Sequence, residues 1–225
     1  MARNREYDRQ TLEIMKRRLR RSSACVDVGA HRGEILRAII EIAPEGRHFA
    51  FEPLPHLAAE LRQEFPGVAV HECALAERTG ESTFEYVVNS PSFSGLRRRI
   101  YEHPNRVIEQ IHVRLETLDR VIPQDVVVDF VKIDVEGGEL DVMRGGRETF
   151  RRARPVVVFE ASKNSTGQYG VTPQELFSFV HDELDMRLST LRSWLDRGKP
   201  YDVYGFARNW ERGPEFYFVA YPDHT

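Results

Sequence analysis

The stretch CVDVGAHRGE, residues 25–34, constrains this chain more than any other. A short apolar run meets a turn with Gly29 and Gly33, and Ile35, Ile39, Ile40 and Ala43 follow at helical spacing. That is a buried strand feeding an amphipathic helix through a glycine turn, the opening unit of a β-α-β fold. The pattern repeats. Residues 48–53 (HFAFEP), 68–75 (VAVHECAL), 130–135 (FVKIDV) and 154–161 (RPVVVFEA) read as further strands. Residues 55–65, 138–153 and 172–184 read as helices, the last with Thr172 as N-cap and Pro173 at its first position. Residues 186–195 and 215–222 read as a closing antiparallel pair. The alternation predicts an α/β fold: a mostly parallel, doubly wound sheet with helices on both faces and an antiparallel last strand.

The remaining segments are additions to that unit. Residues 6–21 predict a helix with Leu12, Met15 and Leu19 on one face, so residues 1–22 read as a helical extension ahead of a domain over 23–225. Residues 82–88 alternate like an extra strand, 111–122 read as a strand and a short helical turn, and a polar insertion occupies about 89–110. The net charge of −3 argues against a polyanionic partner, so nucleic acid is not expected despite the basic end of the first helix. No apolar run approaches the roughly 20 residues of a membrane span, and the first ten residues carry no apolar signal core. Cys25 and Cys73 fall in expected strands without metal-ligand spacing, and read as buried reduced thiols of a cytoplasmic chain.

In such a sheet, ligands bind beyond the carboxyl ends of the strands. The first strand ends at Asp27, followed by Gly29, Ala30 and Gly33. The small residues leave room for a ligand near the backbone. Asp27 would repel a pyrophosphate but suits an ammonium group, which disfavours a nicotinamide dinucleotide. The second strand ends at Glu52-Pro53, about 20 residues on, where an acid accepts from ribose hydroxyls. Ala74 and Leu75 end the third strand and suit the flanks of an adenine ring.

In order, VDVGAHRGE, FAFEP, CALAERTGE, ETLD, FVKIDVEGGELDVMRGG and VVVFEA resemble the FkbM family of S-adenosylmethionine-dependent methyltransferases. The resemblance covers roughly residues 24–161, and KIDVEG with the Glu two residues later is its most specific block. It implies a class I, Rossmann-like seven-stranded fold and methylation of hydroxyl oxygens on sugars, polyketides or other natural products. Asp27 would then face the methionyl ammonium, with Gly29, Ala30 and Gly33 giving the methionine room. Glu52 and Pro53 would lie at the ribose, Ala74 and Leu75 at the adenine, and Ser94 in a loop closing over the cofactor. His31 departs from the Asn of many such loops and reads as a tolerated variant.

Methylating an aliphatic hydroxyl needs a base or a metal, because the hydroxyl is a poor nucleophile. Period-two alternation puts Lys132 and Asp134 on one side of their strand, with Asp134 at its end. Glu160 ends the next strand, and Glu136 stands in the turn or caps the following helix. Asp134 and Glu160 could act as base and substrate anchor, with Lys132 assisting. They could equally hold Mg²⁺, although no His completes a metal site: His181 lies in an expected helix, and His103 and His112 in or beside the insertion. The acceptor pocket is expected from the N-terminal helix, the insertion, and residues 189–210, whose Trp194, Tyr201, Tyr204, Phe206 and Trp210 suit a ring-shaped acceptor but read more readily as closing the edge of the core. The partner expected is a small-molecule hydroxyl acceptor, with no membrane; a homodimer stays open. The alternatives are a methyltransferase for RNA or another macromolecule, and a non-catalytic adenosine-ligand module.

Overall fold

Seven strands form the central sheet of the computed structural model, which describes residues 2–97 and 105–223, with side chains from Asn4 onward. His103 lies outside the described residues. Helix α1 (Ala2–Arg18) precedes β1 (Ala24–Val28), α2 (Glu34–Ile42), β2 (His48–Phe51), α3 (Pro55–Glu64) and β3 (Ala69–His71). A smaller sheet follows: β4 (Ala74–Leu75), β5 (Gly80–Val87) and β6 (Ile108–Glu116). Then come α4 (Leu118–Val121), β7 (Val128–Ile133), α5 (Glu139–Gly145), α6 (Arg147–Ala153), β8 (Val156–Glu160) and α7 (Pro173–Ser178). The chain closes with β9 (Arg187–Thr190), α8 (Leu191–Leu195), α9 (Val203–Arg212) and β10 (Tyr217–Tyr221).

The strand order is β3-β2-β1-β7-β8-β10-β9, and β10 runs antiparallel to both of its neighbours while the other pairs are parallel. This is the expected α/β architecture. All five residues of β1 are buried, because helices cover both faces of a central strand. Cys25 packs with Ile14, Met15, Ile39, Phe130, Val158 and Val219 on the α1–α2 face. Val26 and Val28 pack with Val131, Val157, Leu140, Phe150 and Phe206 on the other. Among the described residues no helix is long and apolar enough to cross a membrane.

Several boundaries differ from the sequence reading. The strand expected over 68–75 breaks after His71, which stacks on Phe51 at 5.0 Å. Ala74 and Leu75 leave the main sheet and pair instead with Leu115 and Glu116. The insertion is the connection between the antiparallel strands β5 and β6, and β6 begins at Ile108, within the last residues assigned to it. The helix expected over 138–153 is two helices, because Asp119 accepts from the amides of Glu148 and Thr149 and starts a new one. The strand expected over 186–195 ends at Thr190, whose hydroxyl accepts from the Ser193 amide and caps α8. The buried stripe of α1 is Tyr7, Gln10, Thr11, Ile14 and Met15, with Leu12 on its flank.

Candidate active site

Beyond the ends of β1, β2 and β7 lies a cleft of about 620 Å³, its solvent-filled mouth included. Gly29, Glu52, Pro53, Ala74, Leu75, Ser94 and Asp134 line it. His31 and Glu136, which the sequence reading set aside, line it too. Ala30, Gly33, Asp27, Lys132 and Glu160 are not among the residues that line it. Gly29 has φ +77°, and a Cβ there would lie 2.0 Å from the Asp134 carbonyl oxygen, so the glycine lets two strand ends converge. Gly33 has φ +76°, and its absent Cβ leaves room for the Phe65 ring, 2.6 Å away, so the glycine serves the packing of α2 against α3. Ala30 is likewise core, buried with Leu36, Ala50 and Leu61.

Glu52 is 4% exposed, and its two oxygens accept from the amides of His31 (2.8 Å) and Leu54 (2.9 Å). Burial nonetheless pushes its carboxyl up to about 7. Asp27 is 2% exposed, and its Oδ2 has no hydrogen-bond partner among the described residues. Burial raises it to about 7 as well, against the opposing pull of Lys132, its register neighbour on β7. Ser94 accepts from the Val87 amide, which ties the roof of the cleft to β5. The roof is also docked through Arg97, whose amide donates to the Tyr169 hydroxyl and whose guanidinium donates to the Tyr169 carbonyl.

Strand alternation sets the second half of the site. Cys25, Phe130, Val158 and Val219 face α1, so Asp27, Lys132, Glu160 and Tyr217, each two residues along, face the same way. Lys132 donates to Asp134 Oδ2 at 2.9 Å, and the Tyr217 hydroxyl donates to the same oxygen at 2.5 Å. The Lys132 ammonium also lies 4.8 Å from the Tyr217 ring centre. One oxygen from each of Asp134, Glu136 and Glu160 falls within 4.8 Å of the others. Lys132 gives this cluster a positive charge of its own, and we assign it no divalent cation.

Tyr217 escaped the sequence reading because the search followed the carboxyl ends of strands. In an antiparallel strand the first residue reaches that edge, and Tyr217 pairs in register with Glu160 at the end of β8. Glu139 belongs to the most specific family block but had no role in the sequence reading, because it looks like an ordinary acid in a first helical turn. It is fully buried and accepts from the Gly137 amide and the Thr166 hydroxyl, which shapes the loop carrying Glu136. The turn is thus organised by Glu139, while Glu136 faces the cleft.

The aromatics of 189–210 do not line the cleft. Tyr201, Phe206 and Trp210 close the core against Phe218, Trp194 packs edge-on to Tyr221, and Tyr204 is exposed. His112 is exposed on β6, and His181 pairs with Asp182 and stacks on Phe177, so neither reaches the cleft.

A model of the methyltransferase FkbM domain matches residues 27–197. The chain belongs to the FkbM methyltransferase family. The 2-O-methyltransferase NoeI of Sinorhizobium fredii is 27% identical over 144 residues, covering 57% of this chain and 59% of NoeI. The methyltransferase sdnD of Sordaria araneosa is 28% identical over 168 residues, covering 59% of this chain and 64% of sdnD. The match thus spans about three fifths of each relative's length. The crystal structure of an FkbM methyltransferase from Methylobacillus flagellatus superposes with TM-score 0.56 at 19% identity, over 91% of this chain and 44% of that one, and shares the fold.

Membership of the FkbM family implies S-adenosylmethionine as methyl donor, and the residues present fit it. The buried Asp27 oxygen without a donor is complementary to an ammonium. Each Glu52 oxygen carries one amide, which leaves a lone pair apiece for ribose hydroxyls. Cys73, Ala74, Leu75, Phe84 and Leu96 give apolar walls suited to a purine. Both cysteines are buried and free.

Proposed function

We propose that this FkbM-family protein transfers a methyl group from S-adenosylmethionine to a hydroxyl oxygen of a small polyhydroxylated molecule, a sugar or natural-product intermediate. The observation that carries this reading is Asp134, a carboxylate at the edge of the cleft with one oxygen held by Lys132 and Tyr217. The bound donor supplies an electrophilic methyl carbon. Asp134 accepts the acceptor hydroxyl's proton as its oxygen bonds to that carbon and the carbon–sulfur bond breaks, with its electron pair remaining on sulfur. Glu160 and Glu136 beside it anchor further hydroxyls of the acceptor, as carboxylates suit a ligand rich in donors. The name of NoeI, a 2-O-methyltransferase, supports oxygen as the nucleophile. Two free cysteines suit a cytoplasmic setting.

The test is formation of S-adenosylhomocysteine with a panel of methyl glycosides, hydroxylated macrolactones and short RNAs. Turnover with a glycoside or macrolactone supports the reading; turnover confined to RNA overturns it. Calorimetry should also detect S-adenosylhomocysteine and not NAD.

A further inference from the structure

Tyr217 lies outside the segment that matches the family, residues 27–197, yet its hydroxyl meets the carboxylate at the centre of the site. It is held there from both sides. On the sheet, it pairs in register with Glu160. From α1, the Tyr7 hydroxyl donates to Glu215 Oε2 at 2.5 Å and accepts from the Phe216 amide at 3.4 Å. The Tyr7 ring packs 4.8 Å from Phe216 and 4.9 Å from Tyr217. A helix ahead of the family segment thus pins the start of β10, and the start of β10 aims a phenol at Asp134.

We propose that Tyr217 is a positioning residue that, with Lys132, clamps Asp134 Oδ2 so that the carboxylate stays ionised and correctly turned for the acceptor's proton. The inference rests on the reading of Asp134 as the proton acceptor. A phenol is an apt clamp, because burial and the carboxylates of Asp134 and Glu160 push it far above the usual phenol range, and it donates without losing its proton. Lys132 on β7 and Glu160 on β8 also face Asp134. So do Glu136 and Glu139 from the following loop and helix, Asp27 and His31 from β1 and its turn, and Asp8 from α1. Most of these are acids that oppose its ionisation, so each donor on Oδ2 counts.

The test is a carbon-13 NMR titration of the aspartate carboxyls in full-length protein, with the Asp134 signal assigned by its loss in Asp134→Asn. Tyr217→Phe keeps the ring and removes one donor. The Asp134 midpoint should rise by about one pH unit. Tyr7→Phe, which loosens the pin while leaving Tyr217 intact, should move it the same way by less. An unchanged midpoint in both variants overturns the clamp, whatever the protein methylates. Turnover separates the two ideas: full activity in Asp134→Asn defeats the base reading, even if the titration shifts as expected.

Discussion

A Cβ placed on Gly29 would lie 2.0 Å from the carbonyl oxygen of Asp134, so the turn after β1 and the end of β7 touch backbone to side-chain position. The contact couples the glycine turn after β1 to the segment that carries the Asp134 carboxylate. Gly29→Ala should therefore cost about 2–5 kcal/mol, combining a left-handed backbone angle with displaced main chain. Gly170→Ala is the control, since Gly170 has φ +84° and nothing within 4 Å of its would-be Cβ. It should cost only about 1–2 kcal/mol. Equal losses for both in urea denaturation would mean that the crossing contact contributes nothing.

Asp27 and Glu52 make the ligand-free protein sensitive to pH. Both carboxyls sit near 7 in the fold because they are buried, whereas the unfolded chain ionises them near 4. Between those values the folded chain holds protons that the unfolded chain has released. Their stabilising contribution is complete below about pH 4 and is lost as pH rises through about 7. Unfolding by urea should become easier from pH 5 to pH 8, and Asp27→Asn should flatten the slope. An equally steep slope in that variant would remove Asp27 from the account.

The same protons should leave when the site fills. An ammonium beside Asp27 and ribose hydroxyls on Glu52 both favour the ionised carboxylates. S-adenosylhomocysteine should bind more tightly as pH rises from 5 to 7, then level off. At pH 6 its calorimetric heat should change with the ionisation enthalpy of the buffer. A heat independent of buffer would show that no proton is released.

Glu52→Gln keeps the shape of the side chain but turns one acceptor into a donor. The backbone amide and the ribose hydroxyl on that side then lose their acceptor. Affinity for S-adenosylhomocysteine should fall by about 1–3 kcal/mol, roughly 5- to 150-fold in Kd. Calorimetry measures it directly; a change under twofold would place the ribose elsewhere.

Much of this arrangement was legible in the sequence, for reasons that also explain what was not. Period-two alternation put Lys132 and Asp134 on one side, and adjacent parallel strands brought Glu160 to them. Local rules of this kind need no tertiary information. The break after His71 depended on a stacking partner, Phe51, some 20 residues away in sequence, which no local pattern reveals. Helix α9 carried a readable signal, Phe206 and Trp210 at i and i+4, and closure of the core edge was the stronger of the two readings their aromatic character allowed. Tyr217 was within reach of the expected antiparallel last strand, whose first residue lies at the edge where the parallel strands end.

Lys132 offers the sharpest test of how the carboxylate cluster stays charged. Its side chain is 6% exposed, its ammonium is bonded to Asp134, and the residue pairs in register with Asp27. If it supplies the cluster's positive charge, the wild-type reaction should be indifferent to EDTA, and turnover abolished by the chelator would overturn that assignment. Lys132→Met removes the ammonium that bonds Asp134 and pulls on Asp27, from a cluster that also holds Glu136 and Glu160. Crowded carboxylates of this kind take up protons rather than remain charged. The proton acceptor would then arrive already protonated at neutral pH, so turnover should drop by about 100-fold at pH 7. Part of the loss should return as pH is raised, because the same carboxylate ionises later. A loss of equal size at every pH would indicate that Lys132 acts on geometry alone.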